Sequence, residues 1–131
     1  MKTINVPLQK RSYPIWIENG LINSIPKVLE PMNQNQRWII FSQKEIFKLY
    51  GSHLLNKFKK MSYNIDFIQL PDGEEAKSFS CIENLYNQLI KFQCDRKTVL
   101  LALGGGVVGD VTGYIASTFM RGIDYIQIPT T

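Results

Sequence analysis

The sequence is poor in the residues that bind transition metals. Its 131 residues include two cysteines, Cys81 and Cys94, and one histidine, His53. The cysteines form no C-x-x-C pair, whereas a zinc site draws on three or four Cys, His or carboxylate ligands. We therefore expect no metal site within this chain. His53 lies on a predicted helix beside Leu54 and Leu55, and we interpret it as a structural or surface residue.

The sequence also lacks long hydrophobic runs. No segment approaches the roughly 20 apolar residues that a membrane-spanning helix needs. Met1-Lys2-Thr3 leads into a strand-like segment without the apolar core of a signal peptide. With 44% hydrophobic and 20% charged residues, the composition is typical of one globular domain. We expect a cytoplasmic protein that does not contact membranes.

No strong basic patch is present, although the net charge is +4. The basic residues are spread along the chain, and Lys57, Lys59 and Lys60 form the only cluster. Cations are favoured at the C-terminal end of a helix, and no aromatic residues that could stack on bases accompany these lysines. We interpret the cluster as the solvated end of a helix and expect no nucleic-acid partner.

Strand-like apolar runs and helical periodicities alternate along the chain. Two β-prone runs that each contain a proline predict an N-terminal hairpin or a pair of edge strands. From residue 38 onward, the alternation of strand and helix predicts a Rossmann-like α/β fold, with a parallel sheet and helices on both faces. The predicted strands cover residues 4–8, 13–18, 38–41, 64–70, 99–103 and 125–128, and the first helices cover 21–29 and about 43–60.

Two helices have specific sequence signals. The helix over 43–60 carries an apolar stripe, which we expect to be buried and which consists of Ile46, Leu49, Tyr50, Leu54 and Phe58. Before the next helix, Ser80 is the expected N-cap, and Glu83 three residues later completes a capping box.

Three consecutive glycines separate the strand over 99–103 from a segment with helical periodicity. Gly104, Gly106 and Gly109 fit the G-x-G-x-x-G spacing between a strand and a helix. The first amides of a helix have no partner within it and carry its positive dipole end, so this turn predicts a phosphate site. The turn differs from an ordinary dinucleotide fold, because the following strand ends in Pro129-Thr130-Thr131 without an acidic residue. The alternative is that the glycines only permit a tight turn and close helix packing.

A second loop with polar residues follows the strand over 64–70 and reads PDGEEAK over residues 71–77. Parallel α/β sheets place ligand contacts at the carboxyl ends of their strands, so this loop and the glycine turn can line one crevice. Asp72-Gly73 is also typical of a simple surface turn, and from the residues alone that alternative remains open.

Together these segments resemble 3-dehydroquinate synthase, the second enzyme of the shikimate pathway. The matching pieces are PDGEEAK at 71–77, GGGVVGDVTGYIASTFMRG at 104–122 and IPTT at 128–131. The resemblance covers about the N-terminal third of such an enzyme. It implies that residues 1–131 are an incomplete NAD-binding α/β domain, and that a helical C-terminal domain with the metal ligands and much of the substrate pocket is missing.

The resemblance also assigns residues to the site. Arg121 is similar to an arginine that binds the substrate phosphate in the family, across a dimer interface in one reading, although a cation at the end of a helix explains it as well. Ser42-Gln43-Lys44 departs from the acidic or asparagine-containing loop that many members place against the adenosine. The implied cofactor contacts are Asp72, Gly73, Glu74, Glu75, Ala76, Lys77, Gly105, Gly106, Val107, Val108, Gly109, Asp110, Thr130 and Thr131.

The complete enzyme, by this resemblance, converts the sugar phosphate DAHP into 3-dehydroquinate and phosphate. It uses catalytic NAD and a divalent metal, zinc or cobalt, and forms a homodimer. We expect the 131-residue chain alone to be inactive, and its exposed final strand to promote dimerisation or aggregation. Alternatives are a related sugar-phosphate cyclase, an NAD-dependent polyol dehydrogenase, or a split or non-catalytic nucleotide-binding module.

Overall fold

The computed structural model describes residues 1–131. It contains six strands and five α-helices, with short 3-10 turns between several of them. In chain order they are β1 (Lys2–Val6), β2 (Tyr13–Ile17), α1 (Ile25–Val28), β3 (Arg37–Gln43), α2 (Lys44–Ile46), α3 (Ser52–Lys60), β4 (Asn64–Leu70), α4 (Phe79–Lys91), β5 (Val99–Gly104), α5 (Gly106–Thr118) and β6 (Asp124–Pro129).

The main sheet is parallel and has the strand order β4-β3-β5-β6. β1 and β2 pair with each other in antiparallel orientation and form a separate two-stranded sheet. The predicted fold is therefore confirmed, both for the parallel sheet with flanking helices and for the N-terminal hairpin. Because β5 lies between β3 and β6, its carboxyl end and the glycine turn are at the centre of one sheet edge.

Both faces of the two central strands, β3 and β5, are covered, which explains the apolar runs in these strands. Alternate side chains of β3 face opposite sides: Ile39 and Phe41 join the core under α4 and α5, and Trp38 and Ile40 join the core under α1 and α3. All six residues of β5 are buried. The central strand is thus held on both faces, and it fixes the position of the glycine turn.

The segment between β3 and β4 departs from the predicted regular helix. Residues Phe47–Gly51 form a π-helical turn between α2 and α3. A π turn inserts an extra residue and so rotates the following side chains around the axis. Consequently Leu49 and Tyr50 are 69% and 42% exposed, whereas Phe47 stacks on Phe67 with ring centroids 3.7 Å apart. The prediction that Leu49 and Tyr50 belong to the buried stripe was wrong.

The N-cap of α4 is Ser78, not Ser80. The Ser78 side chain accepts a hydrogen bond from the Cys81 amide at 3.2 Å, and Ser80 lies inside the first turn. The predicted capping box with Glu83 therefore does not form. The preceding 3-10 turn ends one residue earlier, at Lys77, and this places Ser78 at the extended position that an N-cap requires.

The remaining predictions concern surface residues of α3 and membrane-spanning segments. His53 is exposed on α3, as predicted, and Lys57 to Lys60 lie in the last turn of that helix. No helix in the structure is both long enough and apolar enough to span a membrane.

Candidate functional site

The glycine turn joins the buried end of β5 directly to the first turn of α5. Gly105 is the N-cap, and the helix begins at Gly106. The Gly105 carbonyl accepts the Gly109 amide at 3.1 Å, which leaves the amides of the first turn without partners in the helix. No side chain caps this end of α5. The turn therefore presents bare main-chain donors at the positive end of the helix dipole.

Two local features indicate that this helix end can receive a ligand. A Cβ atom built on Gly106 would meet no atom within 4 Å, so the space in front of the first helical residue is open. Beside it, the Thr130 amide donates to the Gly104 carbonyl at 3.1 Å, while the buried Thr130 hydroxyl oxygen has no hydrogen-bond partner. A buried polar atom without a partner is rare in a folded protein and needs an explanation. An open cradle next to such an atom fits a polar, phosphate-bearing cofactor.

The PDGEEAK segment forms a 3-10 turn over Gly73–Lys77 at the same sheet edge. Gly73 adopts a φ of +67°, which glycine tolerates and other residues rarely adopt. Ala76 is fully buried and anchors the turn in the core. Asp72, Glu74 and Glu75 are exposed. The buried Ala76 side chain thus fixes the position of the acidic turn at this sheet edge.

Lys77 connects this turn with α5. Its Nζ donates to the Asp110 carboxylate at 3.0 Å and lies 3.5 Å from the Glu74 carboxylate. The hydrogen bond to Asp110, with the negative charge of Glu74, raises the pKa of Lys77, because both stabilise the ammonium form. The two predicted loops therefore meet in the structure, and a cation and two carboxylates lie together beside the open helix end.

The last two residues of β3 support the site in a way that the sequence did not indicate. Ser42 is buried, and its hydroxyl donates to the Leu103 carbonyl at 2.6 Å, at the end of the neighbouring strand. Gln43 donates through Nε2 to the Pro71 carbonyl at 3.3 Å, at the start of the acidic turn. The segment that departs from the family pattern thus ties both loops to the sheet edge.

Not every predicted site residue can contact a ligand through its side chain. The side chains of Ala76 and Val108 are in the core, so only their main-chain atoms face the site edge. Gly109 faces the side chain of Gln127. A Cβ atom built on Gly109 would lie 3.1 Å from the Gln127 side-chain oxygen. Thr131 lies next to Gly105, with its hydroxyl 3.4 Å from the corresponding Cβ position. Val107 is half-buried at the first helical turn.

Arg121 lies apart from this group of residues. It is exposed and follows α5, whose 13 residues place it about 20 Å from the glycine turn. It has a φ of +66°, outside the helical region, so it is not the last residue of a regular helix. Within one chain, Arg121 and the glycine turn do not form one site.

The structure also contains a cavity of about 600 Å³ that borders the acidic turn but not the glycine turn. Its lining includes Leu70, Glu75, Ser78 and Cys81, and no residue of the glycine turn. Burial raises the pKa of the Cys81 thiol, which makes it a poor nucleophile. No three His, Cys, Asp or Glu side chains lie close enough to hold a metal ion. We place the candidate site at the glycine turn because unpaired donors and charges converge there.

The Lys77–Asp110 contact gives a first testable prediction. Replacing Lys77 by Met, or Asp110 by Asn, should speed amide hydrogen exchange in residues 73–77 by about threefold to tenfold, because the turn loses its tie to α5. The double substitution should add little to either single one. The urea midpoint of unfolding should stay close to that of the wild type, because the pair is exposed and solvent screens its charges.

Hydrogen exchange followed by mass spectrometry, with urea unfolding alongside, measures both quantities. Glu75→Gln is the matched control, since Glu75 belongs to the same turn and forms no ion pair in the structure. Unchanged exchange in both single variants would show that the ion pair does not hold the turn.

Comparison with known proteins adds a family match and named relatives. Residues 67–131 match the family model described as 3-dehydroquinate synthase N-terminal. A 3-dehydroquinate synthase of Prochlorococcus marinus (strain MIT 9515) is 47% identical over 130 residues, which cover 98% of this chain and 36% of the relative. The chain thus spans about a third of the length of the curated relatives that it matches.

Solved structures of related proteins have the same fold. A crystal structure of 2-deoxy-scyllo-inosose synthase matches with a TM-score of 0.87 and 25% identity, over 99% of this chain and 36% of that one. A second structure of this enzyme, complexed with carbaglucose-6-phosphate, NAD⁺ and Co²⁺, matches with a TM-score of 0.82 and 25% identity, over 99% and 35% of the two chains.

Proposed function

This chain belongs to the family of 3-dehydroquinate synthase N-terminal domains, and on that premise we propose that it is the NAD-binding portion of a 3-dehydroquinate synthase. The observation that carries the proposal is the open N-terminus of α5 beside the Lys77–Asp110 contact. An uncapped helix end, a cation and two carboxylates lie around one space, and this arrangement supports the binding of a dinucleotide.

Different groups of the chain would bind different parts of NAD. The main-chain amides of Gly105, Gly106 and Val107 would bind the diphosphate, because the helix dipole favours negative charge there. Glu74 and Asp110 would accept hydrogen bonds from ribose hydroxyls, since ionised carboxylates only accept.

Cations and hydroxyls of the same edge complete the proposed cofactor site. Lys77 would keep the carboxylates from repelling the diphosphate by neutralising part of their charge. Thr130 would find in the cofactor the partner that its buried hydroxyl lacks. Thr131 and the remaining residues of the acidic turn would line the rest of this site.

In the complete enzyme, the proposed reaction turns DAHP into 3-dehydroquinate and phosphate. Bound NAD supplies reversible removal of a hydride, which makes the neighbouring C–H bond more acidic. The metal ligands and most of the substrate pocket lie outside these 131 residues, so the chain alone should bind cofactor without turnover. Arg121 is proposed to bind the substrate phosphate of a neighbouring subunit, since it lies far from the glycine turn of its own chain. The shikimate pathway and a cytoplasmic location are part of the proposal.

A related sugar-phosphate cyclase is the second candidate, supported by the similarity to 2-deoxy-scyllo-inosose synthase. Both candidates need the same cofactor site, and the substrate is selected mainly outside this chain. The higher identity to enzymes named 3-dehydroquinate synthase favours the first candidate.

Calorimetry and product analysis test the proposal separately. The 131-residue chain should bind NAD⁺ and should form no 3-dehydroquinate from DAHP. The protein encoded by the complete reading frame should release phosphate and 3-dehydroquinate from DAHP when NAD⁺ and a divalent metal are present. Absence of NAD⁺ binding by both proteins would refute the cofactor role, and a different cyclic product would favour the second candidate.

A further inference from the structure

The chain makes a strained turn directly after α5. Met120 and Arg121 have positive φ angles of +51° and +66°, and the Gly122 amide donates to the Phe119 carbonyl at 2.9 Å. These are the marks of a type I′ turn, which normally carries glycine, asparagine or aspartate at its two central positions. Methionine and arginine fit these positions poorly, because a side chain at positive φ crowds the backbone.

Both ends of this turn are held by the body of the protein. The Phe119 side chain is 6% exposed and belongs to the core under α4 and α5. After the turn, the Ile123 amide donates to the Ala116 carbonyl at 2.7 Å, and the Ile123 side chain packs against the same core. A strained backbone persists only where its surroundings determine it, and such residues are concentrated at functional sites. The anchored ends thus keep Met120 and Arg121 in one arrangement.

A tyrosine of the neighbouring helix α4 ties down the same turn. The Tyr86 ring stacks on Phe119, with ring centroids 6.4 Å apart and an angle of 16° between the planes. The Tyr86 hydroxyl lies 2.5 Å from the Thr118 hydroxyl, directly before the turn. Since the Thr118 hydroxyl donates its proton to the Tyr114 carbonyl at 2.9 Å, its oxygen accepts and Tyr86 is the donor. Tyr86 thus holds the end of α5 and the first residue of the turn together.

The charged side chain that this turn presents has no internal partner. Arg121 is exposed and forms no hydrogen bond and no ion pair in the structure. Its guanidinium group therefore keeps its donors for an external anion, and phosphate accepts from arginine in a bidentate arrangement. Binding is stronger when the arginine does not have to be ordered first.

We propose that Tyr86 is a positioning residue for the phosphate group of the substrate, because it holds the strained turn that directs Arg121 outward. This inference rests on the function proposed above, in which Arg121 binds the substrate phosphate. Without the Tyr86 hydroxyl, the turn could relax towards negative φ angles, and Arg121 would be directed outward for only part of the time. The apparent affinity for the phosphate would then fall with the fraction of molecules that keep the strained turn.

Hydrogen exchange of the 131-residue chain, followed by NMR, tests whether Tyr86 holds the turn. Tyr86→Phe keeps the stacked ring and loses only the hydroxyl, so the amides of Gly122 and Ile123 should exchange about threefold to tenfold faster. Thr118→Val should have the same effect, whereas Thr118→Ser keeps a hydroxyl and should behave like the wild type. Tyr114→Phe is the matched control, since the Tyr114 hydroxyl has no partner in the structure. Unchanged exchange of both amides in Tyr86→Phe would overturn the proposal.

Kinetics of the complete protein separate a positioning role from a merely structural one. With DAHP as substrate, Tyr86→Phe should raise KM about threefold to tenfold and leave kcat within about twofold, because fewer molecules hold Arg121 ready for the phosphate. The inhibition constant of inorganic phosphate should rise by the same factor. Arg121→Met should raise both constants further. Adding Tyr86→Phe to Arg121→Met should then change them by less than about twofold, since Tyr86 acts only through Arg121.

The outcomes distinguish a failure of this inference from a failure of the proposed function. If Arg121→Met raises KM and Tyr86→Phe does not, Arg121 binds the phosphate without Tyr86, and the inference fails alone. If neither substitution changes KM or phosphate inhibition, the proposed role of Arg121 fails and the inference fails with it. An effect of Tyr86→Phe that persists undiminished in the Arg121→Met background would show a purely structural role, which also contradicts the inference.

Discussion

A Gly106→Val substitution should weaken NAD⁺ binding at least about 100-fold, or roughly 2.7 kcal/mol, without unfolding the protein. The valine side chain would enter the open space in front of the first turn of α5, where a Cβ now meets nothing within 4 Å. It would hold a diphosphate away from the main-chain amides that are proposed to bind it. Isothermal titration calorimetry with NAD⁺ on both proteins measures the change.

Two controls separate this effect from a general loss of structure. Gly106 has an ordinary helical conformation, and valine is at least as good a helix former as glycine, so the free energy of unfolding should change by less than about 1 kcal/mol. Gly113→Ala, two turns further along α5, should keep NAD⁺ affinity within about twofold, because that position lies away from the helix end. Unchanged affinity in Gly106→Val would show that the cofactor does not approach the first turn of α5.

The sheet was predictable because its strands obey one strong physical constraint. A parallel strand covered on both faces is apolar at most of its positions, and the run from Val99 to Leu103 has the length and composition of such a strand. The glycines after it then had to form a turn, since the helical periodicity begins within a few residues. Strand limits differed from the prediction by no more than two residues, because the last residues of a strand depend on pairing with neighbours.

The N-cap of α4 and the exposed side of the segment 44–60 were less predictable, because tertiary contacts determine which of several locally similar arrangements forms. Ser78 and Ser80 are both good N-caps by residue type, and the end of the acidic 3-10 turn selected Ser78. In the segment 44–60, stacking of Phe47 on Phe67 accompanies a π turn that shifts Leu49 and Tyr50 to the surface. Helical periodicity in a sequence assumes an unbroken α-helix, so it does not predict the rotation of side chains that the π turn causes.

The candidate site was predictable as two loops at one sheet edge, but not as a set of contacts. The order of the strands brings the loops together, whereas the Lys77–Asp110 hydrogen bond depends on the reach of one side chain across 33 residues of sequence. Gln43 could not be foreseen at all, since an exposed-looking amide after a strand has no distinctive pattern. The position of Arg121 follows from the length of α5, which separates it from the glycine turn.

Gly104→Ala should lower the free energy of unfolding by about 2 to 4 kcal/mol, because a Cβ at this position would lie 2.6 Å from a methyl group of Val108. Val108 is fully buried and β-branched on a helix, so it cannot rotate away. Gly104 has a φ of +157° and Gly73 a φ of +67°, so both substitutions strain the backbone. Gly73→Ala is the comparison, because a Cβ at Gly73 would meet no atom within 4 Å and the loss of stability should be only about 1 kcal/mol. Urea unfolding of Gly104→Ala, Val108→Ala and the double variant would reveal the clash directly: the double variant should lose less stability than the sum of the single losses. If the losses of unfolding free energy are additive, the contact with Val108 is not the reason why glycine is needed at position 104. The turn can then widen without disturbing the start of α5.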